Sequence, residues 1–282
     1  MSIEFRGVDY STSISFVGMY SDNTPMVKTP DFEEIVARAD TMVLRADSLH
    51  MFVTAMFLVD SINDFDQTRR YFDGPVIKNL VLPYLPGARQ DRINPTGDVL
   101  FTAKSIARMI NERHFDRVIA ADPHSPVMPS LIKNFSEYPL ERVYDRLWKG
   151  YGGVIAPDKG ARDRATAAQR VVGGELRYGG KVRDEATGRL TGFTVEDLTP
   201  GKHYIVVDDI CDGGGTFVGL GHQIREAGAF ADLFVTHGIF SKGTRDLKDY
   251  YKNIYTTDTR QLNTDRRTRV MKFNIVDDMV NY

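Results

Sequence analysis

The chain has 282 residues, 42% of them hydrophobic and 26% charged, which is enough apolar material to bury one large core or two smaller ones. Lys and Arg number 36 against 38 Asp and Glu, a formal net charge of −2, so bulk charge does not point to nucleic acid and any phosphate must be held by local groups. The single cysteine, Cys211, excludes an intrachain disulfide and fits a reducing compartment.

The opening MSIEFRGVDY lacks a basic segment followed by an apolar run. The longest apolar stretch, residues 51–59, is broken by Thr54 and is too short to cross a bilayer. These features predict a cytoplasmic protein with no membrane partner and no nucleic-acid partner.

In chain order, Asp47 or Ser48 is placed to cap a helix carrying Leu49, Phe52, Val53, Met56 and Phe57. Residues 76–82 read as a strand, and a polar loop over 83–97 follows it. Val99, Ala103, Ile106, Ala107 and Ile110 fall on one helical face. Residues 117–121 form the next strand and run into Asp122-Pro123-His124. Tyr138-Pro139 interrupts the pattern, which places a domain boundary near residue 140 and predicts domains over 1–140 and 141–282.

In the second half, residues 153–156 read as a strand that ends near Asp158, and 159–172 are helical in composition. Residues 173–201 hold seven glycines and many charges, the composition of a long loop or hairpin. Residues 203–207 are a strand, 217–227 an amphipathic helix and 232–236 a further strand. Strands alternating with helices predict an α/β protein of mostly parallel sheets flanked by helices.

Residues 203–216 read HYIVVDDICDGGGT. An apolar strand delivers Asp208 and Asp209, and a turn through Asp212, Gly213, Gly214 and Gly215 opens a helix at Thr216. Glycines let backbone amides close around phosphate oxygens, and the helix N-terminus adds positive potential. Carboxylates at the carboxyl end of such a strand suit ribose hydroxyls and a hydrated divalent cation.

This segment resembles the ribose-phosphate loop of the phosphoribosyltransferase superfamily. Within it, the match is closest to the ribose-phosphate pyrophosphokinase family, also called phosphoribosyl pyrophosphate synthetase. The family carries threonine where this chain has Gly213. Residues 83–92, PYLPGARQDR, resemble the family's ATP loop and imply ATP binding by Arg89, Gln90 and Asp91. Asp122-Pro123-His124 matches a family segment whose histidine is a Mg²⁺ and ATP-phosphate ligand, which implies His124 as a metal ligand supported by Asp122. Residues 154–165, VIAPDKGARDRA, resemble a second metal-proximal segment, with Asp158 as the match. Asp158 also reads as an N-cap of the helix that follows it.

Lys181 and Arg183 stand where the family carries a catalytic Lys-x-Arg. Residues 236–241, THGIFS, resemble a late strand-end segment, and Tyr20 and Asp22 match, over a poorer alignment, an N-terminal segment that contacts adenine.

The resemblance implies two phosphoribosyltransferase-like domains, an ATP-side one first and one with the ribose-phosphate loop second. It implies Mg²⁺-dependent diphosphotransfer from ATP to the anomeric hydroxyl of ribose 5-phosphate, and assembly into a homo-oligomer, dimer or hexamer. Gly213 opens an alternative acceptor with a substituted phosphate, such as ADP-ribose. A transferase acting on a base and a non-catalytic regulatory subunit are the readings of another class. The ATP loop and the retained charged residues argue against both.

Overall fold

The computed structural model describes residues 2–22, 24–28, 32–69, 76–93, 100–183, 190–261 and 270–282. The chain forms two compact units, Met1–Tyr138 with Val276–Tyr282, and Pro139–Ile275.

The first unit is built from strands β1 (Ser2–Gly7), β2 (Tyr10–Met19) and β3 (Pro25–Lys28), helix α1 (Phe32–Arg38), strand β4 (Thr41–Arg45) and helix α2 (Leu49–Arg69). Strand β5 (Asn79–Val81), helix α3 (Thr102–Asn111), strand β6 (Arg117–Ala121), helix α4 (Val127–Leu131) and strand β7 (Phe135–Tyr138) follow. Its sheet runs β3-β2-β1-β4-β5-β6-β7. The β1–β4 side pairs antiparallel, and β4 through β7 pair parallel. In β6, residues 118–121 are all buried, as expected of a strand covered on both faces.

Ser48 rather than Asp47 caps α2. Its hydroxyl accepts from the Met51 amide at 3.2 Å, satisfying an amide of the first turn. In α3, Ala103, Ile106, Ala107 and Ile110 form the buried face that their spacing predicts. Val99 lies outside the described residues. The strand expected over 76–82 is shorter, Asn79–Val81, because only there does it pair with β4 and β6.

The second unit contains α5 (Glu141–Tyr144), β8 (Gly153–Ala156), α6 (Arg162–Val172), β9 (Glu175–Arg183), β10 (Leu190–Val195), β11 (His203–Cys211), α7 (Gly215–Glu226), β12 (Phe230–Gly238), β13 (Tyr251–Thr257) and β14 (Val270–Phe273). Its sheet order is β10-β9-β8-β11-β12-β13-β14. All neighbours pair parallel except β9 and β10, which form an antiparallel hairpin. The glycine-rich stretch therefore resolves as a hairpin. Residues 184–189, between the two strands in sequence, lie outside the described residues.

One assignment needs correcting. The sequence places the C-terminal tail with the second half, yet helix α8 (Val276–Val280) belongs to the first unit. Val276 and Met279 are fully buried there, Asp277 pairs with Arg6 at 2.7 Å, and Tyr282 packs edge-on against Tyr138. Burial of two apolar side chains and one ion pair outweighs sequence proximity.

Candidate functional site

In open α/β sheets, ligands meet the loops at the carboxyl ends of parallel strands. In the second unit those ends belong to β8, β11 and β12. β11 is longer than residues 203–207. Pairing with β12 continues through Cys211 opposite Gly238, so Asp208 and Asp209 are strand residues rather than the start of the loop. The Asp209 amide donates to Asp208 Oδ1 at 2.9 Å.

Arg164, on the first turn of α6, holds this pair. Its Nη1 lies 3.6 Å from Asp208 Oδ1 and its Nη2 4.0 Å from Asp209 Oδ2, and all three side chains are mostly buried. Arg164 also donates to the Gly160 carbonyl at 2.9 Å. Burial first, and then the charge of Asp209, push the Asp208 carboxyl well above the usual carboxylate range, against the pull of Arg164. Asp158 sits at the end of β8 and caps the turn Lys159–Ala161, its Oδ1 accepting from the Gly160 amide at 2.9 Å. One short turn thus links Asp158 to Arg164 and on to Asp208 and Asp209.

The glycine loop then opens α7. Gly214 is its N-cap, with φ 77, a left-handed backbone that favours glycine. The first helical hydrogen bond runs from the Val218 amide to the Gly214 carbonyl at 2.9 Å. The amides of Gly215, Thr216 and Phe217 therefore have no carbonyl in the helix, which is the arrangement that binds anions. Among the described residues the Thr216 hydroxyl has no partner either. A Cβ placed on Gly215 would meet nothing within 4 Å, and the atoms nearest to one on Gly213 would be Cδ and Cε of Lys242, at 3.6 Å. The loop is open at Gly215, and the Lys242 side chain lies over Gly213.

The hairpin bearing Lys181 and Arg183 is tied to the same helix. A Cβ on Gly219 of α7 would fall 2.1 Å from the Phe193 ring of β10, so α7 needs glycine there to seat the hairpin. Lys181 pairs in register with Phe193, and Arg183 with Leu190. The side chains of Lys181 and Arg183 lie outside the described residues.

In the first unit, the loop after β5 folds against the end of β6. The Ala121 amide donates to the Pro83 carbonyl at 3.2 Å. Gly87 adopts φ 75, and the Gln90 amide closes the turn onto the Gly87 carbonyl at 2.9 Å. The Gln90 side-chain oxygen accepts from the Thr102 hydroxyl, which pins the loop to the start of α3. Arg89 and Gln90 are exposed and Asp91 is buried.

Burial pushes the Asp91 carboxyl up. Hydrogen bonds from Ser125 and Arg92, and the positive charges of Arg92 and His124, outweigh it and hold the group below the usual range. The loop and the strand-end segment His124-Ser125 are thereby brought together. Asp122 is buried and sits at φ 40, a strained backbone for a non-glycine residue of the kind found at functional strand ends.

Tyr20 and Asp22 are not joined to this group. They follow β2, and β1 and β4 separate β2 from β5, which at about 4.8 Å per strand is about 14 Å. Asp22 accepts from the Thr24 amide at 2.9 Å in the turn between β2 and β3. That bond and a second from the Thr24 side chain lower its carboxyl. Tyr20 is exposed.

Among the described residues no group of three or more His, Cys, Asp and Glu forms a preformed metal cage. Mg²⁺ does not need one. It keeps several waters and binds through one or two carboxylates and the phosphates of its nucleotide. In the first unit the carboxylate of Asp122 and the strand-end imidazole of His124 are donors of that kind, and in the second unit the Asp158 carboxylate is another. Among the described residues, no helix is long and apolar enough to cross a membrane.

No family model matches the chain. It is 33% identical over 211 residues to the ribose-phosphate pyrophosphokinase of Pyrococcus abyssi, covering 71% of this chain and 70% of that protein. The corresponding protein of Pyrococcus furiosus is 30% identical over 212 residues, covering 72% and 71%. That of Xanthomonas campestris pv. campestris is 28% identical over 271 residues, covering 90% and 80%. Among solved structures, phosphoribosylpyrophosphate synthetase from Mycobacterium smegmatis shares the fold with a TM-score of 0.78 at 20% identity, covering 96% of this chain and 88% of that one. With a relative 33% identical over more than two thirds of both chains and a shared two-unit fold, the chain belongs to the ribose-phosphate pyrophosphokinase family of transferase enzymes.

Proposed function

We propose that this protein transfers the diphosphoryl group of Mg-ATP to the anomeric hydroxyl of ribose 5-phosphate, giving phosphoribosyl pyrophosphate and AMP. The observation that carries the reading is the pairing of an anion-binding loop with a buried diacid. The open turn at Gly213–Thr216 suits the 5-phosphate, and Asp208 and Asp209, held by Arg164, suit the ribose hydroxyls. Burial and Asp209 raise the Asp208 carboxyl, which favours less negative charge beside the phosphates, and the carboxyl oxygens can accept from sugar hydroxyls.

In the reaction, the anomeric oxygen forms a bond to the β-phosphorus. The bond from that phosphorus to the α–β bridging oxygen breaks, and its electron pair leaves on the α-phosphate of AMP. The anomeric proton goes to solvent. Such transfers depend on positioning and charge neutralisation rather than covalent chemistry by the protein. Arg89, Gln90 and Asp91 form the ATP loop, with Arg89 exposed for phosphate or adenine and Asp91 holding the loop to Ser125 and Arg92. Lys181 and Arg183, on the hairpin seated on α7, neutralise charge on the transferring group. Mg²⁺, which when bound neutralises and orients the triphosphate, would be held in the first unit by His124 with Asp122 in support, and Asp158 is the second unit's own metal-ligand candidate.

Incubation with Mg-ATP and ribose 5-phosphate tests this. AMP is expected to appear one-for-one with consumed sugar, and release of ADP instead would overturn the reading. A second reading rests on Gly213, where the neighbours nearest to a Cβ would be atoms of the flexible Lys242 side chain. A glycine beside a chain that can shift suits an acceptor with a substituted phosphate, such as ADP-ribose, with the chemistry unchanged. The reaction takes place outside membranes, in the cytoplasm, and the protein works as a homo-oligomer.

A further inference from the structure

Lys242 is not part of the site as described so far. It lies in the segment that leaves β12, and backbone hydrogen bonds fasten that segment onto the phosphate loop. The amides of Ile239 and Phe240 donate to the Cys211 carbonyl at 2.9 and 3.0 Å, and the Ser241 amide donates to the Asp212 carbonyl at 3.1 Å. The Gly243 amide returns to the Phe240 carbonyl at 2.8 Å, closing a tight turn with φ 47 at Phe240 and 73 at Gly243. The backbone of Lys242 is therefore fixed beside Asp212 and Gly213.

The side chain runs across the glycine. Its Cδ and Cε lie 3.6 Å, and its Cγ 3.9 Å, from the point where a Cβ on Gly213 would stand. Lys242 is exposed, and its ammonium has no ionic or hydrogen-bond partner among the described residues. Ordering a flexible lysine chain costs side-chain entropy, so a stem laid over glycine with its charge unmatched is a poor use of the residue on structural grounds alone. A neighbouring anion would repay it. The adjacent open loop, with unpaired first-turn amides and the Thr216 hydroxyl, is a site built for an anion.

We infer that Lys242 is a specificity-determining ligand for the phosphate on the sugar acceptor, occupying the space that Gly213 leaves and supplying a full charge there. The inference rests on the proposed reaction and names how its acceptor is recognised. The ligand chemistry is a ribose bearing phosphate on its 5-oxygen, either a monoester or the near phosphate of a diphosphate. A charge on a long tether tolerates a substituted phosphate better than a short, fixed hydroxyl does.

Calorimetric titration of the full chain tests it, using ribose 5-phosphate, ADP-ribose, inorganic phosphate and Mg-ATP as separate probes. Lys242→Met keeps the stem and removes the charge. It is expected to weaken acceptor binding about ten- to a hundred-fold, the worth of a charged hydrogen bond, and to leave Mg-ATP binding unchanged. Lys242→Arg should recover most of the loss, and Lys252→Met, the same charge change at an exposed position of β13, should have no effect. Equal losses for both sugars place the ammonium on the near phosphate, and a larger loss for ADP-ribose places it on the second phosphate. Binding of both sugars by Lys242→Met within twofold of the unmodified chain would overturn the inference. If the unmodified chain bound phosphate in a Lys242-dependent way but neither sugar, the anion site would stand and the proposed reaction would fall. Binding of none of the acceptor probes would overturn both.

Discussion

Arg164 offers the sharpest stability test, because it is the cation that faces both carboxylates of the diacid. Its guanidinium is 3.6 Å from Asp208 and 4.0 Å from Asp209, with all three side chains largely shielded. At an effective dielectric of about 20, each contact is worth about 4 kcal/mol before solvation is counted. Loss of solvation offsets much of that. Asp208 also has a way out, since burial and Asp209 already hold its carboxyl high and it can take a proton when the arginine is removed. The net cost of Arg164→Gln is then about 2–3 kcal/mol above neutrality, roughly 5–10 °C in melting temperature.

The sign of its pH dependence follows. A carboxyl with a raised folded pKa contributes stability that is complete below its unfolded value, about 4, and is lost as pH rises through the folded value. Removing Arg164 raises the folded value further. The difference between variant and parent must therefore be small near pH 4 and grow toward pH 8. Thermal melts of both proteins across that range measure it. A difference that is constant with pH, or that shrinks as pH rises, would refute the electrostatic role of Arg164 and leave only its bond to Gly160.

Four further outcomes follow from the same geometry. Thr216→Val removes an unpartnered hydroxyl at the start of α7 and should raise the KM for the sugar acceptor about tenfold with little change in the KM for ATP, measured by AMP release. Gly214→Ala forces a side chain into φ 77 and should cost about 1–2 kcal/mol, read from denaturant midpoints, with weakened acceptor binding. Asp91→Asn should destabilise the protein by about 1 kcal/mol near pH 7. Because the Asp91 carboxyl is depressed, that difference should vanish as pH falls through its folded value, below about 4, and a difference persisting there would contradict the assignment. Lys181→Ala should lower kcat at least a hundredfold with the KM for ATP nearly unchanged, as expected of a group that acts on charge developing in transfer.

Between residues 47 and 236 much of the order of strands and helices was legible because hydrophobic period and loop chemistry are local, whereas β1 through β4, β13 and β14 were not read. Residues 117–121 could be read as a buried strand from their apolar run, and the α3 face from its spacing. Strand ends were not legible, because pairing sets them. β11 runs on through Asp208 to Cys211 only because β12 continues beside it to Gly238. The tail could not be placed, since nothing local in Val276–Tyr282 records that Arg6 and Tyr138 await it.

The phosphate loop and its two aspartates were readable as a compact motif. Arg164 was in view within the segment that carries Asp158, and one turn of helix beyond Asp158 is the signal that could have marked it. Its role appears only when α6 is laid beside β11. Lys242 gives no local signal at all. It follows directly on the 236–241 segment, and the backbone bonds from 239–241 to Cys211 and Asp212 bring it to Gly213.

The central claim is attack by the anomeric oxygen on the β-phosphorus of ATP. Ribose 5-phosphate labelled with ¹⁸O at the anomeric position, turned over promptly with Mg-ATP and followed by ³¹P resonance, reads that bond directly. The account predicts that the label stays in the bridge between C1 and the new diphosphate, shifting the resonance of the phosphorus attached to it, while AMP carries none. Loss of the label from the sugar product would mean that the C1–oxygen bond is the one that breaks, the chemistry of a transferase acting at C1, and would contradict the account.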